Sequence, residues 1–204
     1  MLFTSIVYFL FLAASLLVYY VLPARYRNYF LIAASAFFYM YVKLSYIFII
    51  LFVIAINYLT GIQIEKTFSK TKKLRYLYAS LFVNIAILVF FKYWNFLIEA
   101  MLDLLGVLHV NTNIPIIEIA LPLGLSYYIF QVIGYTIDVY RGTQKAERNI
   151  FDFSLFALFF PKLLVGPIER AKGFLPQLKT HIDFDKDNLI EGGRRIAWGL
   201  VLED

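Results

Sequence analysis

Uncharged apolar runs alternate with short basic clusters along this chain, and the spacing predicts a succession of membrane helices. Residues 2–22 carry no charge, are long enough to cross roughly 30 Å of hydrocarbon, and end at Pro23 with Arg25 and Arg27 just beyond. No basic stretch precedes this run and no small-residue cleavage site follows it, so it reads as a retained helix rather than a signal peptide. The segment 28–43 is uncharged as far as residue 42 and short, so it either crosses with Arg27 and Lys43 snorkelling to the surfaces or lies partly embedded. Within it, Ala33, Ala34, Ser35 and Ala36 favour close helix packing. Residues 44–64 and 76–98 are full-length spans, with Lys92 near the end of the second. A fifth span is predicted over 116–139, where Pro122 and Gly124 kink or break a run that is uncharged from 119 to 137. Residues 153–168 are too short for a straight crossing and are interrupted by Pro161 and Lys162. They read as a re-entrant element, which needs protein or a watery cavity over its backbone. A further helix is predicted over 188–204, opened by a capping box of Asn188 and Glu191.

Composition supports the membrane reading. Hydrophobic residues make up 61% of the 204 and charged ones 16%, against about 25% charged in soluble domains. Mean hydropathy is +0.72. The absence of cysteine excludes disulfides and thiol chemistry. A net charge of +5 raises nucleic acid as a partner, but the basic residues lie in short connections between apolar runs, where they orient a membrane protein instead. Arg25 and Arg27, then Lys66 to Arg75, then Arg141, Lys145 and Arg148 follow alternate spans, so these connections are expected in the cytoplasm and the N-terminus outside.

The chemistry is concentrated between residues 121 and 178, where LPLGLSYYIFQ leads into IDVYRGTQKAERNIFDF and then FFPKLLVGPIERAKGFLPQL. Ionisable groups beside apolar spans carry a desolvation penalty and mark sites or pathways. Asp138 and Arg141 lie three apart on one helix face, which fits an interfacial ion pair. The alternative places Asp138, Tyr140 and Arg141 at the mouth of a cavity, where an arginine meets a phosphorylated donor. Arg148, Asn149 and Asp152 read as a helix start, with Asn149 as cap and Asp152 near the positive end of the helix dipole. Gly166, Pro167, Glu169 and Arg170 close the short element as a turn.

Taken together, GPIERAKGFLPQL, the FFP element before it, RGTQKAERN and the earlier FKYWNF resemble the membrane-bound O-acyltransferase (MBOAT) family, most closely its alginate O-acetyltransferase-like branch. The resemblance implies an all-α polytopic scaffold forming a funnel through the cell membrane, incomplete here at its C-terminus. It also implies an acyl thioester donor, acetyl-CoA or an acyl carrier protein, on the cytoplasmic side, with no other cofactor. The lipid bilayer and an extracytoplasmic polysaccharide or partner acetyltransferase complete the expected surroundings. It lifts Gly166, Pro167, Glu169 and Arg170 above a plain turn. Gly166, Pro167 and Arg170, with Pro122 and Gly124, which either kink a helix or free backbone groups and let chains approach closely, with Pro161, and with Asp138, Tyr140, Arg141, Arg148, Asn149 and Asp152, are the candidates for lining the funnel or binding substrate. A histidine is the family's general base; neither His109 nor His181 stands in a matching context, so that base is expected beyond Asp204. D-alanyl transfer to teichoic acid and a non-catalytic membrane module or transporter are the alternatives.

Overall fold

The computed structural model describes residues 6–42, 44–107, 124–163, 169–180 and 185–202. All regular structure among them is helical: α1 (Ile6–Val21), α2 (Ala24–Val42), α3 (Tyr46–Lys66), α4 (Lys70–Val107), α5 (Leu125–Arg141), α6 (Ile150–Leu158), α7 (Phe160–Leu163), α8 (Ala171–Lys179) and α9 (Lys186–Leu202). The protein is an all-α membrane protein, and among the described residues α3 and the 70–102 part of α4 are long and apolar enough to cross a bilayer. Many large apolar side chains on α3 and α4 point outward, among them Phe48, Phe52, Phe82 and Phe96, as a hydrocarbon solvent favours.

Helices α3, α4 and α5 pack on one another around a polar centre. Asn57, Ser80, Asn84 and Thr136 are all buried there. The Asn57 side-chain oxygen accepts from the Ser80 hydroxyl at 2.9 Å, the Asn84 amide at 3.1 Å and the Thr136 hydroxyl at 3.1 Å. Its own amide donates to Asn84 Oδ1 at 3.1 Å and to the Val53 carbonyl at 2.8 Å. In an apolar surround such bonds fix which helix faces meet, because dispersion alone is indifferent to register.

The short elements lie against this core and against α2. Ala34, Ser35, Phe38 and Tyr39 are buried along α2, so the small residues permit the close approach read from sequence. The Ser35 hydroxyl accepts from the Phe160 backbone N–H at 3.2 Å, which ties α7 to α2. Extended backbone at Phe159 (φ −54°, ψ 107°) separates α6 from α7. Pro161 enters in the first turn of α7, where it withdraws no helical hydrogen bond. Phe153, Leu155, Phe156, Ala157, Leu158 and Phe160 are buried, so the broken element is covered by protein as its backbone requires.

Several predicted boundaries move. Helix α2 begins at Ala24 and carries Arg25 and Arg27 within its first turn. Helix α4 is 38 residues, about 57 Å at 1.5 Å per residue; it begins before the span predicted over 76–98 and continues past its end through Glu99 and Asp103. Gly124 precedes α5 rather than kinking it: its φ of 71° is left-handed, the conformation that favours glycine. The 116–123 part of the fifth span, with Pro122, lies outside the described residues, as do Lys43, His109, Gly166, Pro167 and His181. Helix α9 starts two residues early, because the Asp185 carboxylate accepts from the Asp187 N–H at 2.9 Å and from the Asn188 amide at 3.0 Å. Asp185, not Asn188, supplies the capping oxygen.

Candidate functional site

The three basic connections predicted to share one side of the membrane are gathered at one end of the helices. Asn28 at the start of α2 donates to Asp152 Oδ1 at 3.4 Å and to the Leu178 carbonyl at 3.0 Å. Glu65 at the end of α3 accepts from the Ala146 N–H at 3.2 Å and pairs with Arg148. Tyr58 donates to the Arg148 carbonyl at 2.6 Å. Glu147, 7% exposed, accepts from Lys179 Nζ at 2.8 Å and from the backbone N–H groups of Arg148 and Asn149, each at 3.0 Å. Asn149 caps α6, its side chain accepting from the Phe151 N–H at 2.9 Å and donating to Asp152 Oδ2 at 3.1 Å. Arg148, Asn149 and Asp152 therefore fasten the 142–149 connection and the start of α6.

Burial alone raises the Glu147 carboxyl, but the Lys179 ammonium and the two backbone N–H groups outweigh it and hold the group below its ordinary value of 4.5. A carboxyl held low in the folded state binds fewer protons there than in the unfolded chain. Its stabilisation is full above that ordinary value and is lost as pH falls through the folded one. Glu147→Gln is expected to flatten the acid limb of the stability profile; an acid limb identical in both proteins contradicts this role. The Asp152 carboxyl is shifted the other way, raised by burial and then by the Glu147 charge, against Lys179, Asn28 and Asn149.

Next to this fastening lies a polar cavity of about 410 Å³, lined by Gln131, Gly134, Tyr135, Ile137, Asp138, Arg141, Glu169 and Arg170. Gln131, Gly134, Tyr135, Asp138 and Arg141 follow the three-and-four spacing of one helix face, so α5 presents them as a single stripe. A Schellman turn stops α5 at its mouth. The Gly142 N–H bonds the Val139 carbonyl at 3.1 Å, the Thr143 N–H bonds the Asp138 carbonyl at 3.0 Å, and Gly142 takes φ of 74°. The Tyr135 hydroxyl accepts from the Glu147 N–H at 2.9 Å and Gln131 donates to the Phe156 carbonyl at 2.8 Å, which fixes the inner wall. An added Cβ at Gly61 would come within 2.8 Å of the Tyr135 hydroxyl. Gly61→Ala is expected to displace that ring and lower stability by about 1–3 kcal/mol, read as a lower unfolding temperature in detergent; an unchanged value contradicts the tight packing.

Of the sequence candidates, Asp138, Arg141 and Arg170 come together on this cavity. The ion pair expected between Asp138 and Arg141 is not formed among the described residues. Asp138 Oδ1 instead accepts from the Thr143 hydroxyl at 3.4 Å, and Arg141 is exposed at the cavity mouth. Tyr140 falls off the lining stripe by the helical angle and packs on the core. Pro161 lines a different, apolar cavity. Gln131, Lys162, Glu147 and Lys179 were not among the sequence candidates. Gln131, a polar residue on the stripe of an apolar run, and Lys162, a charge interrupting another, carried a readable signal; Glu147 and Lys179 did not. Glu169 pairs with Lys162; Asp138, Arg141 and Arg170 line the same cavity and form no ion pair among the described residues. Planar guanidinium groups at a water-accessible mouth suit a phosphate or carboxylate bound in two-point fashion.

No family model matches the chain and no solved structure matches it. Among curated proteins, it is 36% identical over 203 residues to a probable alginate O-acetylase of Azotobacter vinelandii, a match covering 98% of this chain and 40% of that protein. Against the probable alginate O-acetylase of Pseudomonas putida the identity is 36% over 205 residues, covering 98% and 41%. A peptidoglycan O-acetyltransferase of Helicobacter pylori is 29% identical over 228 residues, covering 98% and 41%. The chain spans about two-fifths of the length of these relatives. With the motif block, the helical membrane scaffold and these matches in agreement, the chain belongs to the membrane-bound O-acyltransferase family.

Proposed function

We propose that this chain builds the donor side of an O-acyltransferase that passes an acyl group, acetyl by preference, from a cytoplasmic thioester towards a polysaccharide hydroxyl across the membrane. The observation that carries the reading is the polar cavity with Arg141 and Arg170 at the end where the basic connections converge. On the positive-inside bias that end is cytoplasmic, the N-terminus is outside and the protein is multi-pass. Acetyl-CoA or an acyl carrier protein then presents its phosphates to the two guanidinium groups, with the acyl end towards Tyr135 and Gln131. The base on the acceptor hydroxyl is a histidine from the part of the relatives that this chain does not span, a role suited to an imidazole near neutral pH. An exported polysaccharide, directly or through a partner acetyltransferase, receives the group.

D-alanyl transfer is the second reading, favoured by a match of 40% identity over 53 residues to a teichoic acid D-alanyltransferase of Lacticaseibacillus rhamnosus. It keeps the cavity and changes the acyl group. Membranes carrying this chain together with the histidine-bearing part that its relatives contain, given acetyl-CoA with a labelled acetyl group, are expected to label extracytoplasmic polysaccharide. Label from D-alanine in place of acetyl selects the second reading, and label from neither overturns both in favour of a non-catalytic module.

A further inference from the structure

The polar cavity has an apolar neighbour. A second cavity, of about 290 Å³, lies between the α1–α2 pair and α7–α8, with Leu12, Leu16, Leu31, Phe159 and Phe160 among its walls. Lys162 lines this second cavity, and its partner Glu169 lines the first. The ion pair thus reaches from one cavity to the other. The Lys162 ammonium also sits 3.8 Å from the centroid of the Phe174 ring, a cation–π contact that anchors it in place. Aromatic rings run the same way: Tyr135 of the polar cavity lies 6.3 Å from Phe156, Phe156 lies 5.9 Å from Phe174, and Phe174 lies 5.3 Å from Phe159 of the apolar one.

We propose that the Lys162–Glu169 pair is the partition that limits the length of acyl group the site accepts. The inference rests on the donor reading of the polar cavity. A two-carbon acyl group ends within that cavity. A longer one needs apolar volume, and the apolar cavity behind the pair supplies it. Entering it means separating two opposite charges that are only partly exposed and lifting the ammonium from its ring, which resists a hydrocarbon tail. Once the pair is removed the preference reverses, because each methylene buried in an apolar cavity is worth about fourfold in affinity.

The test uses the protein reconstituted in lipid nanodiscs, with acetyl-CoA and hexanoyl-CoA binding measured by calorimetry and expressed as an affinity ratio. The unmodified protein is expected to favour acetyl-CoA or hold the two level. K162M is expected to move the ratio at least tenfold towards hexanoyl-CoA. K162M/E169Q, which leaves no charge unpaired, is expected to move it as far, and the exchanged pair K162E/E169K to bring it back. A ratio unchanged in both K162M and K162M/E169Q, with acetyl-CoA still bound, overturns the partition and leaves the donor reading intact. Binding of neither thioester by the unmodified protein overturns the donor reading and the partition with it.

Discussion

Asn57→Leu is expected to destabilise the protein by about 3 kcal/mol, the largest loss from a single side chain in this structure. The substitution keeps the branching and heavy-atom count of the side chain and removes the oxygen onto which Ser80, Asn84 and Thr136 converge. The consequences differ among the three. Thr136 keeps the Val132 carbonyl at 3.0 Å and the Asn84 amide keeps the Ser80 carbonyl at 2.8 Å. The Ser80 hydroxyl loses its acceptor and Asn84 Oδ1 loses its donor, and both are buried. Each stranded group carries a desolvation penalty of about 1–3 kcal/mol. For a chain of this size the unfolding temperature in detergent should fall by about 6–12 °C. Replacing all the principals with apolar residues, as in N57L/S80A/N84L, should restore most of the loss, because no polar group is then left unpartnered. A single variant as stable as the unmodified protein, or a triple variant worse than the single one, contradicts the account of the α3–α4–α5 core.

The largest functional effect is expected from R141A/R170A, read in the enzyme completed by the histidine-bearing part of its relatives. On the donor reading both guanidinium groups hold the non-reacting phosphates of the thioester, each through charge-assisted hydrogen bonds worth about 1.5–3 kcal/mol. Each single substitution should then raise KM for acetyl-CoA by about 10-fold or more, and the pair by about 100-fold or more. The turnover number should change little, because binding that is equal in the ground and transition states moves KM alone. R141K should recover only part of the loss, since an ammonium cannot reproduce the two-point geometry. A fall in turnover at unchanged KM would place the arginines at the reacting centre instead of on the donor's phosphates.

How far the fold was legible depends on which force set each feature. Helix α3 was readable because its uncharged run and its helix nearly coincide: residues 44–64 as read against Tyr46–Lys66 as folded. Helix α4 was read too short because charge marks where a bilayer ends, while a helix continues into water for as long as its backbone bonds are satisfied. The break between α6 and α7 was legible through Pro161 and the short apolar run, and the cap on α6 through Asn149. The three-residue spacing of Asp138 and Arg141 correctly put them on one face and wrongly paired them, because the Thr143 hydroxyl meets the carboxylate first. The pairs Glu65–Arg148 and Glu147–Lys179 join residues far apart in sequence. Complementary charges are common along the chain, and only packing decides which ones meet. The same holds for the Lys162–Glu169 pair, whose place between two cavities is invisible until the helices are assembled.

Entry of the acyl donor into the polar cavity from the cytoplasmic side is open to measurement at Gly134. This position lines the cavity, an added Cβ there meets nothing within 4 Å, and the chain contains no cysteine to compete. In oriented membrane vesicles, Gly134→Cys should react with a membrane-impermeant thiol reagent only when the cytoplasmic face is exposed, and acetyl-CoA should slow the reaction at least tenfold. Reaction from the opposite face, or a rate indifferent to acetyl-CoA, would contradict the account.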